Sequence, residues 1–215
     1  MKGDDQKLVS KIADSIQAAE NILITIHESP DGDAVGSMLA LNDVLKLMKK
    51  NIFMYSPDVI PMKLRFMKGW ETVTSDDKKL AGRDLDLLIM LDCGDKKRSG
   101  KFIKELESYK TLINIDHHVS NDLFGDINFV DAKSSCTAEK VYDVVKELLS
   151  RLKQNKIPLD TATSLLAALY DDTGGMRYAS TTPHTLSVAA DLVANGADCS
   201  YVSENLFFSV SREKM

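Results

Sequence analysis

The chain is poor in the residues and runs that mark several common classes of protein. Its three cysteines, Cys93, Cys136 and Cys199, are far apart and contain no C-x-x-C pair, which argues against a zinc knuckle or a disulfide framework. No apolar run approaches the ~20 residues that a membrane-spanning helix needs, and the N-terminus lacks the apolar core of a secretion signal. We therefore expect a cytoplasmic protein without a membrane-spanning segment.

Basic residues are also in deficit. The chain carries 27 Lys and Arg against 32 Asp and Glu, a net charge of −5. Because proteins that wrap duplex nucleic acid present a strongly basic face, we expect any contact with nucleic acid to be short and local. The local cluster of Lys96, Lys97 and Arg98 is interpreted as a solvated face. A dinucleotide-dependent oxidoreductase is disfavoured, because no G-x-G-x-x-G follows any predicted strand.

The sequence does have a regular alternation of apolar runs and amphipathic segments. The predicted strands are NILITI, NIFMYS, LDLLIML and TLINI, with INFVD as an edge strand. Predicted helices cover DAVGSMLALNDVLKLMKK, SGKFIKELESYK, TAEKVYDVVKELLSRL with Thr137 as its cap, PLDTATSLLAALYDDTGG and PHTLSVAADLVANGA, followed by a last amphipathic stretch, CSYVSENLFFSVSREKM. This order predicts an α/β fold, a doubly wound and mainly parallel sheet with helices on both faces and a more helical C-terminal third.

Ionisable side chains follow three of these strands and one helix. They are His27, Asp31 and Asp33 after the first strand, Asp92 after the third, Asp116, His117 and His118 after the fourth, and Asp171 and Asp172 near the end of a helix. Because ligands of parallel sheets bind at the carboxyl ends of the strands, we expect these groups to converge. Each has an ordinary explanation as a turn, cap or core residue, but that explanation would have to hold at four separate places.

Convergence of so many acidic groups has a chemical consequence. Carboxylates held together repel one another and have raised pKa values, and a pair of divalent cations would remove that repulsion. Carboxylate and imidazole ligands without thiolate suit Mn²⁺, with Mg²⁺, Fe²⁺ and Co²⁺ as other candidates. The residue pattern therefore predicts a site for two metal ions.

The same four segments, in this order, resemble the motifs of the DHH phosphoesterase superfamily. The matching stretches are HESPDGDAVGS, LDCGD, NIDHHVSN and ALYDDTGGMRYAST, and the resemblance covers roughly residues 20–185. Any one motif is weak, whereas the set is specific. The likeness is to the bacterial branch of oligoribonucleases and 3′-phosphoadenosine 5′-phosphate (pAp) phosphatases rather than to the larger RecJ exonucleases.

The resemblance implies a role for each of these side chains. One metal ion would be held by His27, Asp31 and Asp92, and the other by Asp33, Asp92, His117 and Asp172, with Asp92 bridging. His118 would face the substrate phosphate, and Asp116 would support the histidines, as imidazole ligands commonly require. Catalysis would then depend on His118, Asp92 and Asp116, with Arg177 as a further candidate contact to phosphate, while Asp171 would be a neighbour rather than a ligand.

The implied activity is hydrolysis of phosphoester bonds by a two-metal mechanism, with two Mn²⁺ favoured over Mg²⁺ or Co²⁺. The expected substrates are short single-stranded oligonucleotides or small phosphorylated nucleotides such as pAp. Three alternatives stay open at this point. They are a manganese-type inorganic pyrophosphatase, which shares the four motifs, a cyclic dinucleotide hydrolase, and a nucleotide-binding regulatory module that has lost catalysis.

Members of this branch carry a smaller second domain beyond a linker, with a glycine-rich segment that contains histidine. No GGGH-like run occurs in this sequence. We expect the phosphoesterase domain to cover residues 1–195 and residues 196–215 to begin a linker helix toward a substrate-binding domain outside this chain. Leu206, Phe207 and Phe208 would cover that linker or a homodimer partner, with burial in the core as an equally good explanation.

Overall fold

A five-stranded sheet organises the computed structural model, which describes residues 3–208. The strands are β1 (Asn21–Thr25), β2 (Asn51–Tyr55), β3 (Leu85–Leu91), β4 (Tyr109–Asp116) and β5 (Ile127–Val130). Their order is β2-β1-β3-β4-β5, and every neighbouring pair is parallel. The α-helices are α1 (Gly3–Ala18), α2 (Gly32–Leu47), α3 (Gly100–Glu105), α4 (Thr137–Arg151), α5 (Leu159–Thr173), α6 (Pro183–Ala194) and α7 (Cys199–Ser203). The predicted fold class is confirmed.

The central strands are buried on both faces, which explains their continuous apolar sequences. Alternate residues of β3 enter different cores: Leu87 and Ile89 pack on one face of the sheet, and Leu88 and Met90 pack on the other. The larger core contains buried side chains of α1, α2, α4 and α5, and the smaller core contains Ile103 of α3. Helices therefore lie on both faces, but they cover them unequally.

Close packing between α2 and α5 determines where the ends of these helices meet. A Cβ atom at Gly36 of α2 would collide with the backbone oxygen of Ser164 and would lie 2.9 Å from the Cβ of Ala168. Only glycine permits this approach, because it has no side chain. The contact brings the start of α2, which carries Asp33, beside the end of α5, which carries Asp172.

Two segments differ from the sequence-based prediction. The helix predicted over SGKFIKELESYK is too long, because α3 ends at Glu105, and Tyr109 and Lys110 already belong to β4. The chain becomes buried from Leu112 onward and pairs with β3 there, which favours a strand over a continued helix. Helix α1 was absent from the prediction, although Val9, Ile12 and Ile16 follow helical spacing and are buried.

The C-terminal stretch forms α7 and then a π-helical turn over Glu204–Phe208. Leu206 is buried, Phe207 packs against the larger core and Phe208 is exposed. Residues 209–215 of the expected linker helix lie outside the described residues. Within residues 3–208, no helix is long and apolar enough to cross a membrane.

Candidate metal centre

The segment between β1 and α2 places three of the predicted ligands. His27 is buried, and its Nδ1 lies 2.7 Å from the backbone oxygen of Glu28. Because a carbonyl oxygen only accepts, this contact puts a proton on Nδ1 and leaves Nε2 as the ligand atom. Nε2 lies 3.7 Å from Asp31 Oδ2 and 3.3 Å from Asp92 Oδ2. Asp31 also caps α2, since its carboxylate accepts from the backbone N–H of Ala34.

Asp92 lies at the centre of the site. It follows β3 directly with a φ of +57°, in the left-handed region that Asp adopts more readily than most residues. One carboxylate oxygen, Oδ2, faces His27, while Oδ1 lies 3.6 Å from Nε2 of His117. The two oxygens of Asp92 thus face different groups of side chains.

The end of β4 supplies two imidazoles and a buried carboxylate. Nδ1 of His118 lies 2.7 Å from Asp116 Oδ1, and Asn121 Nδ2 donates to Asp116 Oδ2 at 2.6 Å. Within residues 3–208 the Asp116 side chain forms no hydrogen bond with the His117 ring, so the support expected for both histidines is seen for His118 alone. Asp116 therefore orients His118 through Nδ1 and leaves its Nε2 free of this contact.

The end of α5 contributes one of its two adjacent carboxylates. Asp172 Oδ2 lies 3.3 Å from His117 Nε2. Asp171 instead accepts the backbone N–H of Gly32 at 2.6 Å and pairs with Lys63 at 3.3 Å. Asp171 thus fixes the turn before α2, and its role as a neighbour of the ligands stays a prediction.

Helix α4 begins directly on the site. The prediction that Thr137 caps this helix is wrong, because the N-cap position is Cys136 and carries no side-chain cap. The backbone N–H groups of Thr137 and Ala138 instead donate to the carboxylate of Asp33, at 2.6 and 2.9 Å. The Thr137 hydroxyl donates to Asp92 Oδ1 at 2.8 Å. The first turn of α4 therefore holds two predicted ligands, Asp33 and Asp92. They lie 104 and 45 positions from Thr137 in the sequence.

The side chains next to this turn form their own buried network. The carboxylate of Glu139 accepts from the hydroxyls of Ser135 at 2.7 Å and Thr185 at 2.6 Å. This network joins the start of α4 to α6. It fixes the helix end that holds Asp33 and Asp92.

The predicted ligands form overlapping groups whose candidate ligand atoms lie within 4.8 Å of one another. These groups are His27, Asp31 and Asp92; Asp33, His117 and Asp172; and Asp92, His117 and His118. The first group is the set predicted for one ion, and the second contains three of the four residues predicted for the other. Asp92, the fourth, shares the third group with His117. The donor set, imidazole nitrogen and carboxylate oxygen without thiolate, fits Mn²⁺ or a similar divalent cation.

Burial and mutual repulsion disfavour the ionised form of the carboxylates in this cluster. Burial, followed by repulsion from Asp92 and Asp172, raises the pKa of Asp33 well above its usual range. Burial and the neighbouring carboxylates of Asp92 and Asp31 raise the pKa of Asp172 to about 8. Burial lowers the pKa of His27, but its contacts with Asp31 and Asp92 outweigh that effect and raise the pKa to about 10. A pair of divalent cations would stabilise the ionised form of these carboxylates and would replace the proton on Nε2 of His27.

Two arginines lie outside the ligand groups. Arg177, the sequence-based candidate for a phosphate contact, donates to the backbone oxygen of Gly174 and lies over the ring of Phe207. Arg98, interpreted from sequence as part of a solvated face, has an exposed side chain whose Nη2 lies 3.5 Å from His27 Nδ1. Its position six residues after Asp92, just beyond a strand end, is the signal that the sequence offered.

Known proteins with similar sequences and folds share this architecture. A relative from Thermus thermophilus, described as a bifunctional oligoribonuclease and PAP phosphatase, NrnA, is 33% identical over 198 residues, which cover 92% of this chain and 57% of the relative. The structure of an exopolyphosphatase-related protein from Bacteroides fragilis superposes with a TM-score of 0.85 at 25% identity, covering 97% of this chain and 63% of that one. A manganese-bound structure of exonuclease RecJ shares the fold, with a TM-score of 0.59 at 14% identity over 96% of this chain and 55% of that one.

The chain spans little more than half the length of the curated relatives that it matches most strongly. The N-terminal domain of the DHH family matches residues 21–169, which include β1 to β5 and most of α5. That match contains His27, Asp31, Asp33, Asp92 and His117 and ends three residues before Asp172. The resemblance inferred from the four motifs is confirmed, and the chain belongs to the DHH family.

Proposed function

We propose that this chain carries the catalytic domain of a metal-dependent phosphoesterase that hydrolyses short oligonucleotides, pAp or both. The observation that supports this most is the position of Asp92, whose two carboxylate oxygens face two separate ligand groups. We further propose two Mn²⁺ as cofactors, with Mg²⁺ and Co²⁺ as alternatives, and a cytoplasmic location. The domain boundary at residue 195, the linker beyond it and homodimer formation stay predictions.

The side chains of this chain would divide the chemistry between them. His27 and Asp31 would hold one ion, and Asp33, His117 and Asp172 the other, while Asp92 would bridge the two. When bound, such a metal pair lowers the pKa of an attacking water and stabilises charge on the phosphoryl oxygens. The geometry is therefore suited to in-line displacement at phosphorus.

His118 would contact the substrate phosphate and would not bind a metal ion. The hydrogen bond to Asp116 raises the pKa of His118, which favours the imidazolium form. Because Nδ1 donates to Asp116, the Nε2–H is the donor that remains for a phosphoryl or leaving-group oxygen. Asp116 acts through His118 by holding the ring in this orientation.

The proposed activity is tested with the chain as it stands, incubated with Mn²⁺ or with EDTA. Phosphate release is measured from pAp, and mononucleotide release from a short single-stranded RNA. Pyrophosphate and a cyclic dinucleotide are assayed beside them. We expect Mn²⁺-dependent turnover of pAp, of RNA or of both, with much weaker turnover of the other two compounds.

Other outcomes would favour the alternatives. Preference for pyrophosphate would indicate a manganese-type pyrophosphatase, and preference for the cyclic dinucleotide would indicate a cyclic dinucleotide hydrolase. Tight nucleotide binding without turnover would indicate a regulatory module, although the complete set of ligand side chains argues against it. Failure to bind Mn²⁺ would overturn the metal centre itself.

A further inference from the structure

Within residues 3–208, the guanidinium of Arg98 lies beside His27 of the metal centre and has no carboxylate partner. Arg98 belongs to a short 3₁₀ helix, Lys96–Ser99, that follows β3 and the ligand Asp92. The backbone oxygen of Arg98 accepts from the N–H of Glu28 at 2.7 Å, which ties this helix to the residue after His27. The Asp95 carboxylate accepts from the backbone N–H of Lys97 at the start of the same helix. The backbone of Arg98 is thus fixed, while its side chain is exposed.

The contact between Arg98 and His27 is not a hydrogen bond. Arg98 Nη2 lies 3.5 Å from His27 Nδ1, but that nitrogen already donates to the backbone oxygen of Glu28 at 2.7 Å. A guanidinium has no acceptor atom, so two donors face each other at this point. The Arg98 guanidinium thus lies beside His27 without donating a hydrogen bond to it.

The other cations of this region already have partners. Lys96 donates to the Tyr109 hydroxyl at 3.1 Å, Lys97 lies 3.8 Å from Asp95, and Lys63 lies 3.3 Å from Asp171. In the part of the chain that the structure describes, no carboxylate lies within 4.0 Å of the Arg98 guanidinium. Arg98 therefore has no carboxylate partner although it borders a cluster of acidic side chains.

The segment that leads from Asp92 to Arg98 also passes the phosphate side of the centre. A Cβ atom at Gly94 would lie 3.3 Å from the Cβ of His118. The segment from Asp92 to Arg98 therefore lies next to imidazoles from two parts of the site, His118 after β4 and His27 at the end of β1.

We propose that Arg98 binds the non-bridging oxygens of the phosphate group that undergoes hydrolysis. This inference rests on the proposed phosphoesterase function and adds a residue beside His27 that binds the phosphate. A planar guanidinium offers two parallel N–H donors that match two phosphate oxygens, which a lysine ammonium cannot do. The ligand is a phosphate monoester or diester, and free inorganic phosphate is its simplest analogue.

The test compares Arg98→Gln, Arg98→Lys and the matched control Lys97→Gln, whose side chain is exposed and adjacent. Mn²⁺ binding to each variant is titrated first, and we expect the parent stoichiometry in all three. With pAp as substrate, we expect Arg98→Gln to lower kcat/KM by about 10²-fold, as removal of a charge-stabilising donor does in other enzymes. Arg98→Lys should recover part of this loss, and Lys97→Gln should stay within about twofold of the parent.

Binding of inorganic phosphate to the Mn²⁺-loaded protein gives a readout that needs no turnover. We expect the phosphate Kd of Arg98→Gln to rise about tenfold or more, with Lys97→Gln unchanged. If the parent binds phosphate in this Arg98-dependent way but hydrolyses none of the substrates, the proposed function fails and the assignment of Arg98 stands. Equal phosphate affinity in the parent and Arg98→Gln overturns the assignment, as does a parent that binds no phosphate or an equal loss in Lys97→Gln.

Discussion

At the scale of single residues, the carboxylate of Asp92 is the group that faces both candidate ligand groups of the centre. It faces His27 through one oxygen, and it faces His117 and the Thr137 hydroxyl through the other. Its backbone is in the left-handed region, which asparagine also tolerates. A change to asparagine therefore removes the charge of Asp92 while keeping its shape and its backbone conformation.

We expect Asp92→Asn to fold normally, to bind fewer Mn²⁺ per chain than the parent, and to lose about 10²–10³-fold in turnover. Metal content measured by titration and activity on pAp check this. Asp171→Asn is the matched control, because Asp171 contacts Gly32 and Lys63 instead of the ligand groups. An Asp92→Asn protein that keeps full metal content and activity would exclude the bridging role.

Asp43 provides a residue-scale prediction away from the metal centre. Its Oδ2 is buried and has no hydrogen-bond partner within residues 3–208. Burial raises the pKa of this carboxyl to about 6. The folded state then binds a proton more tightly than the unfolded state, so the favourable contribution of protonated Asp43 is complete at low pH and is lost as the pH rises to about 6.

We therefore expect Asp43→Asn to unfold at a higher temperature than the parent at pH 7.5, by about 3 °C. The difference should disappear near pH 4, where Asp43 is protonated in the folded protein. Thermal unfolding across this pH range, followed by circular dichroism, measures both. A difference that is independent of pH would show that ionisation of Asp43 is not its cause.

At the scale of elements, the first turn of α4 is the feature with the widest effect. Helices leave their first N–H groups without intrahelical partners, and a side chain close in sequence usually accepts from them. In α4 the acceptor is Asp33, from the start of α2. The positive end of the helix dipole thus faces the carboxylates that are proposed to hold metal.

We expect Thr137→Val to weaken Mn²⁺ binding about tenfold, because Asp92 Oδ1 loses the hydroxyl that orients it. Thr137→Ser keeps the hydroxyl and should bind Mn²⁺ almost as tightly as the parent. Titration of the metal-free proteins with Mn²⁺ compares the two variants. Equal affinity for Mn²⁺ in Thr137→Val and Thr137→Ser would show that this hydroxyl does not position Asp92.

Elements and ligands were predictable from the sequence wherever the signal was local. The central strands are continuous apolar runs, and His27, Asp92 and His117 follow strand ends, so both the sheet and the convergence of these side chains could be inferred. The roles of Thr137 and Arg98 could not, because each depends on a contact with a residue 45 or 71 positions away. Helix α1 was missed because polar residues such as Asp4 and Asp5 conceal a short apolar stripe.

At the scale of the whole molecule, the centre joins parts of the chain that are otherwise far apart. The proposed ligands come from the ends of β1, β3 and β4 and from α2 and α5. A cation that binds only the folded arrangement stabilises all of these elements together. Metal occupancy should therefore be visible in the unfolding of the entire domain.

We expect Mn²⁺ at about 100 times its Kd to raise the Tm by about 5–10 °C over the value in EDTA. Differential scanning calorimetry measures the shift. His117→Gln, which removes a ligand nitrogen, should show a smaller increase. Identical Tm values in Mn²⁺ and EDTA would contradict a metal centre that links these elements.

The shared use of Asp33 also bears on how such a domain can change through evolution. A mutation of Asp33 would deprive α4 of the acceptor for its first two N–H groups as well as removing a candidate ligand. In the described part of the chain, the ion pairs of His117 and Asp172 are with one another and with other members of the cluster. We therefore expect a related domain that has lost catalysis but kept its fold to lose His117 or Asp172 first and to retain Asp33.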